Sequence, residues 1–243
     1  MKFVVGTKVE FPQTSSTWIL SQELDHKIPF FASLPELDVV EDFKEKRFVF
    51  RCYRDDSAAK ERAVIKIVML YPNPKPSEPS GKFEEVRSYM GDVIKMEIAA
   101  LDGLRKNKCK SAPHLIDRNE LGEDNWHTWF ILMTECPGQP LGAQKGAEDP
   151  VDPFWDNMTR EERDNIRKAF KEAYLDCVNC GWGQTDPGRQ NLLWDSDQNK
   201  CYLVDWDSAT DLSKAGINIQ WTDAEYFSWK LAGGRHGNNP EEW

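Results

Sequence analysis

The sequence predicts an α+β protein, in which a small antiparallel sheet with one long helix precedes a reduced, mainly helical region. β-branched and aromatic residues dominate two runs at 47–53 and 63–70, which is typical of paired strands. Apolar residues recur at spacings of three and four between Phe83 and Lys106, which predicts an amphipathic helix. The pattern from Thr159 to Glu162 is that of a capping box, which marks the start of a second helix.

The composition is that of a folded protein without a nucleic-acid partner. Of the 243 residues, 40% are hydrophobic, and the chain contains 10 Trp and 12 Phe, which is too aromatic for a disordered chain. The length allows one large domain or two modest lobes. The net charge is -10, and Lys and Arg are scattered among acids, whereas phosphate backbones are bound by clustered basic residues. We therefore expect neither DNA nor RNA as a partner.

The pattern of apolar runs and the cysteine usage predict a cytoplasmic protein that is not associated with a membrane. The N-terminus has only a short apolar run before Lys8, which is not the pattern of a secretion signal. No run of about 18 apolar residues suggests a membrane-spanning helix. Six Cys could pair, but a chain of this length does not need a disulfide framework for stability.

The first forty residues combine scattered apolar groups with three prolines, and we expect an extended arm with one short helix there. The runs 47–53 and 63–70 follow, joined by a charged segment from Asp55 to Arg62, which predicts a β-hairpin. The proline-rich stretch Tyr71–Gly81 cannot continue a strand or a helix and is predicted to be a loop.

After the helix predicted at 83–106, two strands are expected at Pro113–Ile116 and Trp129–Thr134, around a polar hairpin at 119–125. Two prolines and a glycine then interrupt the pattern between Glu135 and Leu141. This break predicts an N-terminal unit of residues 1–136 and a C-terminal unit of residues 137–243.

The capping box predicts a helix that continues to about Asn179, where Gly181 is a plausible stop. Its predicted buried face consists of Ile166, Phe170, Ala173, Tyr174 and Cys177.

Potential ligands for phosphate or metal concentrate between Thr185 and Ala209. Asp186 is followed five residues later by Asn191, and Asp205 ends the short apolar run Tyr-Leu-Val. A carboxylate on a loop can accept the proton of an attacking hydroxyl, and carboxylate and amide oxygens are the ligands that Mg²⁺ prefers. A β-hairpin whose turns contain Asp and Asn would account for the same residues without a functional role.

Two further charged residues precede this segment in the chain. Lys66 lies in the run Ala-Val-Ile-Lys within the second predicted strand. A lysine at this position has a purely structural interpretation, as an exposed side chain on the polar face of an edge strand. Glu97 lies within the long amphipathic helix, beside apolar residues of the predicted packed face. Glu84 and Glu85 are weaker candidates for a partner of Lys66.

The order of these motifs resembles that of the protein-kinase-like superfamily. The resemblance implies a bilobal fold, with a small sheet-bearing lobe and a helical lobe, and it implies ATP and Mg²⁺ as cofactors. By resemblance, Lys66 would contact the α- and β-phosphates and pair with Glu97, while backbone atoms of Glu135 and Cys136 would bind adenine. Asp186 would be the catalytic base, and Asn191 and Asp205 would bind the metal, with Asp207 as a competitor for that role.

Several departures from the family pattern indicate which class of kinase the chain resembles. Gln184 stands where the family has the His that braces the catalytic loop, and no glycine-rich motif precedes Lys66. Only 38 residues follow Asp205, too few for a platform that binds a protein substrate. These absences favour a compact small-molecule or atypical kinase. Asp207 stands where the family has a Gly, which resembles the aminoglycoside-phosphotransferase-like branch, and the loop Thr-Asp-Pro-x-x-x-Asn-Leu-Leu-Trp is similar to that of kinase-like proteins of filamentous fungi.

Three functional interpretations follow. The first is a phosphotransferase that acts on a hydroxyl of a small molecule or a peptide side chain. The second is a pseudokinase that serves as a nucleotide-binding or scaffold module. The third is a metal or redox protein built on Cys177 and Cys180, although no second C-x-x-C or His pair accompanies this motif, which is expected to be structural. Arg189, inside the loop, is expected to pair with a nearby acid rather than to contact a phosphate.

Overall fold

The computed structural model describes residues 3–27, 43–56, 60–72, 82–123, 126–142 and 152–234. The chain divides into two compact units, of which the first contains Met1–Ile98 and Leu115–Glu135 and the second contains Ala99–His114 and Cys136–Trp243. The described part is a mixed α+β structure with mostly antiparallel strands and few helices, so the predicted α+β class is confirmed. Within it, no helix combines the length and the apolar character needed to cross a membrane.

The first unit is organised around one six-stranded sheet in which every pair of neighbours is antiparallel. Its strand order is β1-β2-β3-β4-β6-β5. The strands are β1 (Lys8–Phe11), β2 (Ser16–Lys27), β3 (Phe43–Arg54), β4 (Arg62–Pro72), β5 (Leu115–Glu123) and β6 (Trp126–Thr134). The predicted hairpin at 47–53 and 63–70 is confirmed as the pairing of β3 with β4.

The expectation of an extended arm with a short helix was wrong for the described part of the N-terminus. Lys8–Phe11 and Ser16–Lys27 are strands, and their buried side chains alternate over 8–11 and 16–20, which buries one face against the sheet. The buried residues of this face include Val9, Phe11, Trp18 and Leu20. Residues 28–42, which include the rest of the predicted arm, lie outside the described residues.

The two edges of the sheet meet through side-chain hydrogen bonds. Thr14, in the turn between β1 and β2, donates from its backbone N and its hydroxyl to Asp117 Oδ2 on β5. Asn119 on β5 donates to the Glu10 carbonyl of β1 at 2.9 Å. These contacts bring the edge strands together around a core of aromatic and aliphatic residues.

The polar hairpin predicted at 119–125 was misplaced, because Leu115–Glu123 is a single strand. β5 lies at the edge of the sheet, where half of the positions from 115 to 122 are exposed, so its polar composition does not prevent pairing with β6. Residues 124–125 lie outside the described residues. Most of the loop predicted at 71–81 does too, although β4 continues to Pro72.

The helix predicted at 83–106 is confirmed as α1 (Lys82–Lys106). Acidic residues occupy its first turn and basic residues its last turn, which complements the helix dipole. The boundary between the two units falls after Ile98, within α1, so residues 99–106 of this helix belong to the second unit.

The longest helix described in the second unit is α2 (Arg160–Asn179), whose predicted capping box is confirmed. Thr159 accepts from the Glu162 backbone N–H, and the Glu162 carboxylate accepts from the Thr159 backbone N–H. All five residues predicted for its apolar face are buried. Short elements complete the unit: β7 (Gln139–Pro140), β8 (Trp182–Gln184), β9 (Leu192–Asp195), β10 (Lys200–Leu203), β11 (Ala209–Asp211), α3 (Leu212–Ala215) and α4 (Ala224–Ser228).

Antiparallel pairing fixes the segment that carries the candidate site residues. β10 pairs with β9, and β9 also pairs with β7. β11 pairs with β8, with Ala209 opposite Gln184. The loops that contain Asp186, Asn191 and Asp205 are therefore anchored at both ends by strands.

Candidate active site

One group of candidate residues is an ion pair in the interior of the first unit. Lys66 lies in the centre of β4, opposite Val49 on β3 and Ile131 on β6. Its Nζ donates to both carboxylate oxygens of Glu97 at 2.9 Å. The two side chains are only 3% and 2% exposed. A buried charge is stable only with a compensating partner, so this pairing fixes the positions of both groups.

Of the weaker candidates for a partner of Lys66, Glu84 is engaged elsewhere. Its carboxylate accepts from the Arg87 guanidinium one turn along α1. In the structure Glu97 is the acid beside Lys66.

The residues predicted to bind adenine follow the end of β6. Glu135 Oε1 accepts from Arg51 Nε at 2.6 Å, which ties the end of β6 to β3 within the first unit. Cys136 is partly buried and belongs to the second unit. The carboxylate of Glu135 is thus engaged by Arg51. The contacts of its backbone and that of Cys136 to a nucleotide stay a prediction.

Another group of candidate residues lies in the second unit, on the loop from Asp186 to Asn191. Asp186 is exposed, whereas Asn191 is buried at the end of a short 3₁₀ turn, Arg189–Asn191. Asn191 Nδ2 donates to the Asp186 carbonyl at 2.9 Å and to Asp186 Oδ2 at 3.3 Å. The amide nitrogen of Asn191 is thus committed to Asp186, and its oxygen is the atom suited to a cation.

Gln184 connects this loop to Asp205. Its Nε2 donates to the carbonyls of Val204 at 2.9 Å and Asp205 at 2.6 Å. Sequence reasoning treated Gln184 only as a lost histidine and missed its contribution. The available signal was its chemistry, because a side-chain amide carries N–H donors as an imidazole does.

Asp205 follows β10 in a left-handed backbone conformation, with φ of 66° and ψ of 76°. A non-glycine residue seldom adopts this region, although Asp tolerates it better than most. The conformation is held from both sides: Val204 N donates to the Asn191 carbonyl at 2.9 Å, and the buried Trp206 donates from Nε1 to the Leu203 carbonyl. Strained backbone of this kind is found preferentially at functional sites.

Arg189 pairs with an acid, as expected, and the acid is Asp152. The two side chains are buried and joined by a bidentate ion pair. Asp152 also caps a π-helical turn, Pro153–Asn157, and the guanidinium lies 5.0 Å from the centre of the Phe154 ring. Burial raises the pKa of Asp152, but the Arg189 hydrogen bond and charge, with the N–H groups of Trp155 and Phe154, outweigh it, so the pKa lies below its usual value.

Asp152 was not anticipated from the sequence, because it lies in a polar, proline-rich stretch that reads as a connection between units. The structure shows that it holds Arg189 in place, three residues after Asp186. The ion pair therefore fixes the middle of the loop, while Asn191 fixes its end.

The candidate residues fall into two sets, one in each unit. Lys66 and Glu97 form the buried pair of the first unit, and Asp186, Asn191 and Asp205 lie on connected loops of the second. The second set offers carboxylate and amide oxygens, a donor set that fits Mg²⁺.

Comparisons with known proteins give a distant structural likeness. No known family matches this sequence, and neither does any curated protein. Among solved structures, the structure of vaccinia related kinase 3 matches with a TM-score of 0.45 and 10% sequence identity. The match covers 91% of this chain and 56% of the kinase chain, so this protein spans about half the length of that structure.

Proposed function

We propose that this protein is an ATP- and Mg²⁺-dependent phosphotransferase that transfers the γ-phosphate to a hydroxyl of a small molecule or a peptide side chain. The observation that carries the proposal is the connected arrangement of Asp186, Asn191, Gln184 and Asp205. It presents one exposed carboxylate beside further oxygen donors on a loop fixed by buried groups. The ion pair of Lys66 with Glu97 supports the same function.

Asp186 is the proposed general base. Its carboxylate accepts the proton of the acceptor hydroxyl as that oxygen forms a bond to the γ-phosphorus. The bond from the γ-phosphorus to the bridging oxygen breaks, its electron pair leaves with ADP, and the proton passes from Asp186 to solvent. The Asn191 hydrogen bond to Oδ2 orients the carboxylate during this transfer.

The remaining residues bind and orient. ATP supplies the phosphoryl group, and Mg²⁺ neutralises the charge that develops on its oxygens. Lys66 would hold phosphate oxygens through its ammonium, which Glu97 positions. Asn191 and Asp205 would hold the metal through side-chain oxygens.

A pseudokinase that binds nucleotide without phosphoryl transfer is the second candidate. The segment from Asp55 to Arg62 that joins β3 to β4 contains no glycine, and backbone N–H donors on glycine-rich loops commonly cover the phosphates in kinases. The two candidates share a nucleotide site and differ in turnover.

Thermal melting with ATP and Mg²⁺, separately and together, tests nucleotide binding. A ligand that binds only the native state stabilises it by about 2.7 kcal/mol at 100 times its Kd. We expect the largest increase in melting temperature with both ligands, and a much smaller one for Lys66→Ala. No shift at millimolar ATP would exclude both candidates.

Turnover of ATP then separates the two candidates. We expect Asp186→Asn to lower the rate by about 10²–10⁴, the typical contribution of a general base. Asp197→Asn, at an exposed position in the turn between β9 and β10, is the matched control and should leave the rate unchanged. A nucleotide-induced shift without turnover in the parent protein would favour the pseudokinase, and equal rates for parent and Asp186→Asn would reject Asp186 as the base.

A further inference from the structure

Three cysteines that are distant in the sequence meet at one end of α2. Cys177 lies in the last turn of α2, and Cys180 is its C-terminal cap. Cys109 comes from the segment after α1, and its Sγ lies 3.7 Å from that of Cys177, a residue 68 positions away in the chain. All six cysteines of the protein are free thiols.

Asp176 adds a carboxylate to this group. The Sγ atoms of Cys109 and Cys180 and a carboxylate oxygen of Asp176 all lie within 4.8 Å of one another. Asp176 and Cys180 are four residues apart, which places them on the same face at the end of α2. Cys109 and Cys180 are buried, whereas Asp176 is partly exposed.

The separation of one sulfur and the carboxylate oxygen matches a tetrahedral zinc site. Zinc binds thiolate sulfur at about 2.3 Å and carboxylate oxygen at about 2.0–2.2 Å, so the sulfur and oxygen of one tetrahedral site lie about 3.5 Å apart. The separation of Cys109 Sγ and Asp176 Oδ2 is 3.4 Å. Two thiolates and a carboxylate form a donor set in which the soft sulfurs favour Zn²⁺ over Mg²⁺ or Ca²⁺.

We propose that Cys109, Asp176 and Cys180 bind a zinc ion, with solvent as the fourth ligand on the exposed side of Asp176. Cys177 does not bind the ion but donates its S–H to the Cys109 thiolate. The Lys110 backbone N–H donates to Asp176 Oδ2 at 2.7 Å and orients the carboxylate. The C-x-x-C thus contributes one ligand, Asp176 directly before it contributes a second, and Cys109 contributes a third from the segment after α1.

The consequence is structural. The ion joins the segment after α1 to the C-terminal end of α2, both within the second unit. A hydrogen bond already joins these parts, from Asn107 Nδ2 to the Cys180 carbonyl at 2.8 Å. Because the ligands are assembled only in the folded state, zinc binding stabilises that state.

Metal content and cobalt spectroscopy test the proposal on the full chain, purified under reducing conditions without chelator. We expect one zinc per chain by elemental analysis, and sulfur-to-metal charge-transfer absorption after replacement with Co²⁺. Cys109→Ser, Cys180→Ser and Asp176→Asn should each lower zinc affinity by about tenfold or more. Cys201→Ser is the matched control, because Cys201 is buried in the same unit and its Sγ contacts the Ile166 carbonyl outside the cluster.

Cys177→Ser distinguishes the ligands from their neighbour and should retain stoichiometric zinc. A parent protein without stoichiometric zinc that shows no charge-transfer band with Co²⁺ would overturn the proposal. Retention of full zinc affinity in Cys109→Ser would overturn it as well, as would mass spectrometry that shows a Cys109–Cys177 disulfide in the reduced preparation. Chelator should lower the melting temperature of the parent and of Cys201→Ser equally.

Discussion

Gln184 donates its side-chain amide to the backbone carbonyl of Asp205, 21 residues further along the chain, at 2.6 Å. The same nitrogen donates to the Val204 carbonyl. Two hydrogen bonds from one side chain therefore hold the backbone where Asp205 adopts its left-handed conformation. At this position the sequence indicates only that a histidine is replaced by Gln184, yet the side chain of Gln184 braces the loop.

Replacing Gln184 should release this part of the backbone. We expect Gln184→Leu to lower the free energy of unfolding by about 1–3 kcal/mol, because two carbonyl acceptors lose their donor. Under the proposed function it should also raise the Mg²⁺ concentration needed for nucleotide binding. Urea unfolding and a Mg²⁺ titration of the ATP-induced melting shift measure the two effects.

Gln184→His should recover part of both losses, since an imidazole also provides an N–H donor. Gln198→Leu, at an exposed position of the turn between β9 and β10, is the control for loss of a glutamine side chain. Equal stability of Gln184→Leu and Gln198→Leu would contradict a bracing role for Gln184.

The buried pair of Lys66 and Glu97 predicts strong coupling between its members. Lys66→Met should lower the free energy of unfolding by about 3–5 kcal/mol, because it leaves the Glu97 carboxylate buried without a counter-charge. Lys66→Met combined with Glu97→Leu should regain much of that stability, yet it should not restore the melting shift with ATP. Chemical denaturation of the two single variants, the double variant and the parent provides the double-mutant cycle. Additive effects of the two substitutions would show that the groups are not coupled.

The ion pair of Asp152 with Arg189 predicts a stability difference that depends on pH. The folded-state pKa of Asp152 is lowered, so its ionisation stabilises the fold above the unfolded-state pKa of about 3.9. This contribution is lost as the pH falls from that value through the folded pKa. The stability gap between the parent and Asp152→Asn should be constant above about pH 5 and shrink below about pH 4.

Free energies of unfolding from pH 6 to pH 2 measure this gap. Asp197→Asn, at an exposed position, serves as the control. A gap for Asp152→Asn that stays constant down to pH 2 would show that the ionised carboxylate contributes no stability.

Two glycines of α1 predict opposite effects of the same substitution. A Cβ at Gly91 would meet no atom within 4 Å, so Gly91→Ala should raise the free energy of unfolding by about 0.5–1 kcal/mol through helix propensity. A Cβ at Gly103 would lie 2.1 Å from Nε1 of Trp182, a buried ring. Gly103→Ala should therefore destabilise the protein despite the same gain in propensity. Urea denaturation decides the signs, and stabilisation by Gly103→Ala would contradict the close packing of Trp182.

Much of the fold could be predicted because its signals are local. The spacing of apolar residues gave α1 to within one residue, and the Thr159 capping box gave the start of α2. The hairpin of β3 and β4 followed from β-branched runs. The strands β1 and β2 were missed although buried residues alternate in them, because so short an alternation identifies a strand only beside its partners. Of β5 only the start was predicted, because its later residues are polar and exposed like those of a turn.

The sequence by itself determined which chemical groups are available and in what order, from Lys66 and Glu97 to Asp186, Asn191 and Asp205. Only the tertiary structure decided which groups support them: Asp152 for Arg189, 37 residues apart, Gln184 for Asp205, and Cys109 beside the C-x-x-C of α2. The physical reason is that helix caps and strand periodicity depend on neighbours along the chain, whereas buried ion pairs and thiol clusters form where packing excludes water and brings distant segments within hydrogen-bond distance.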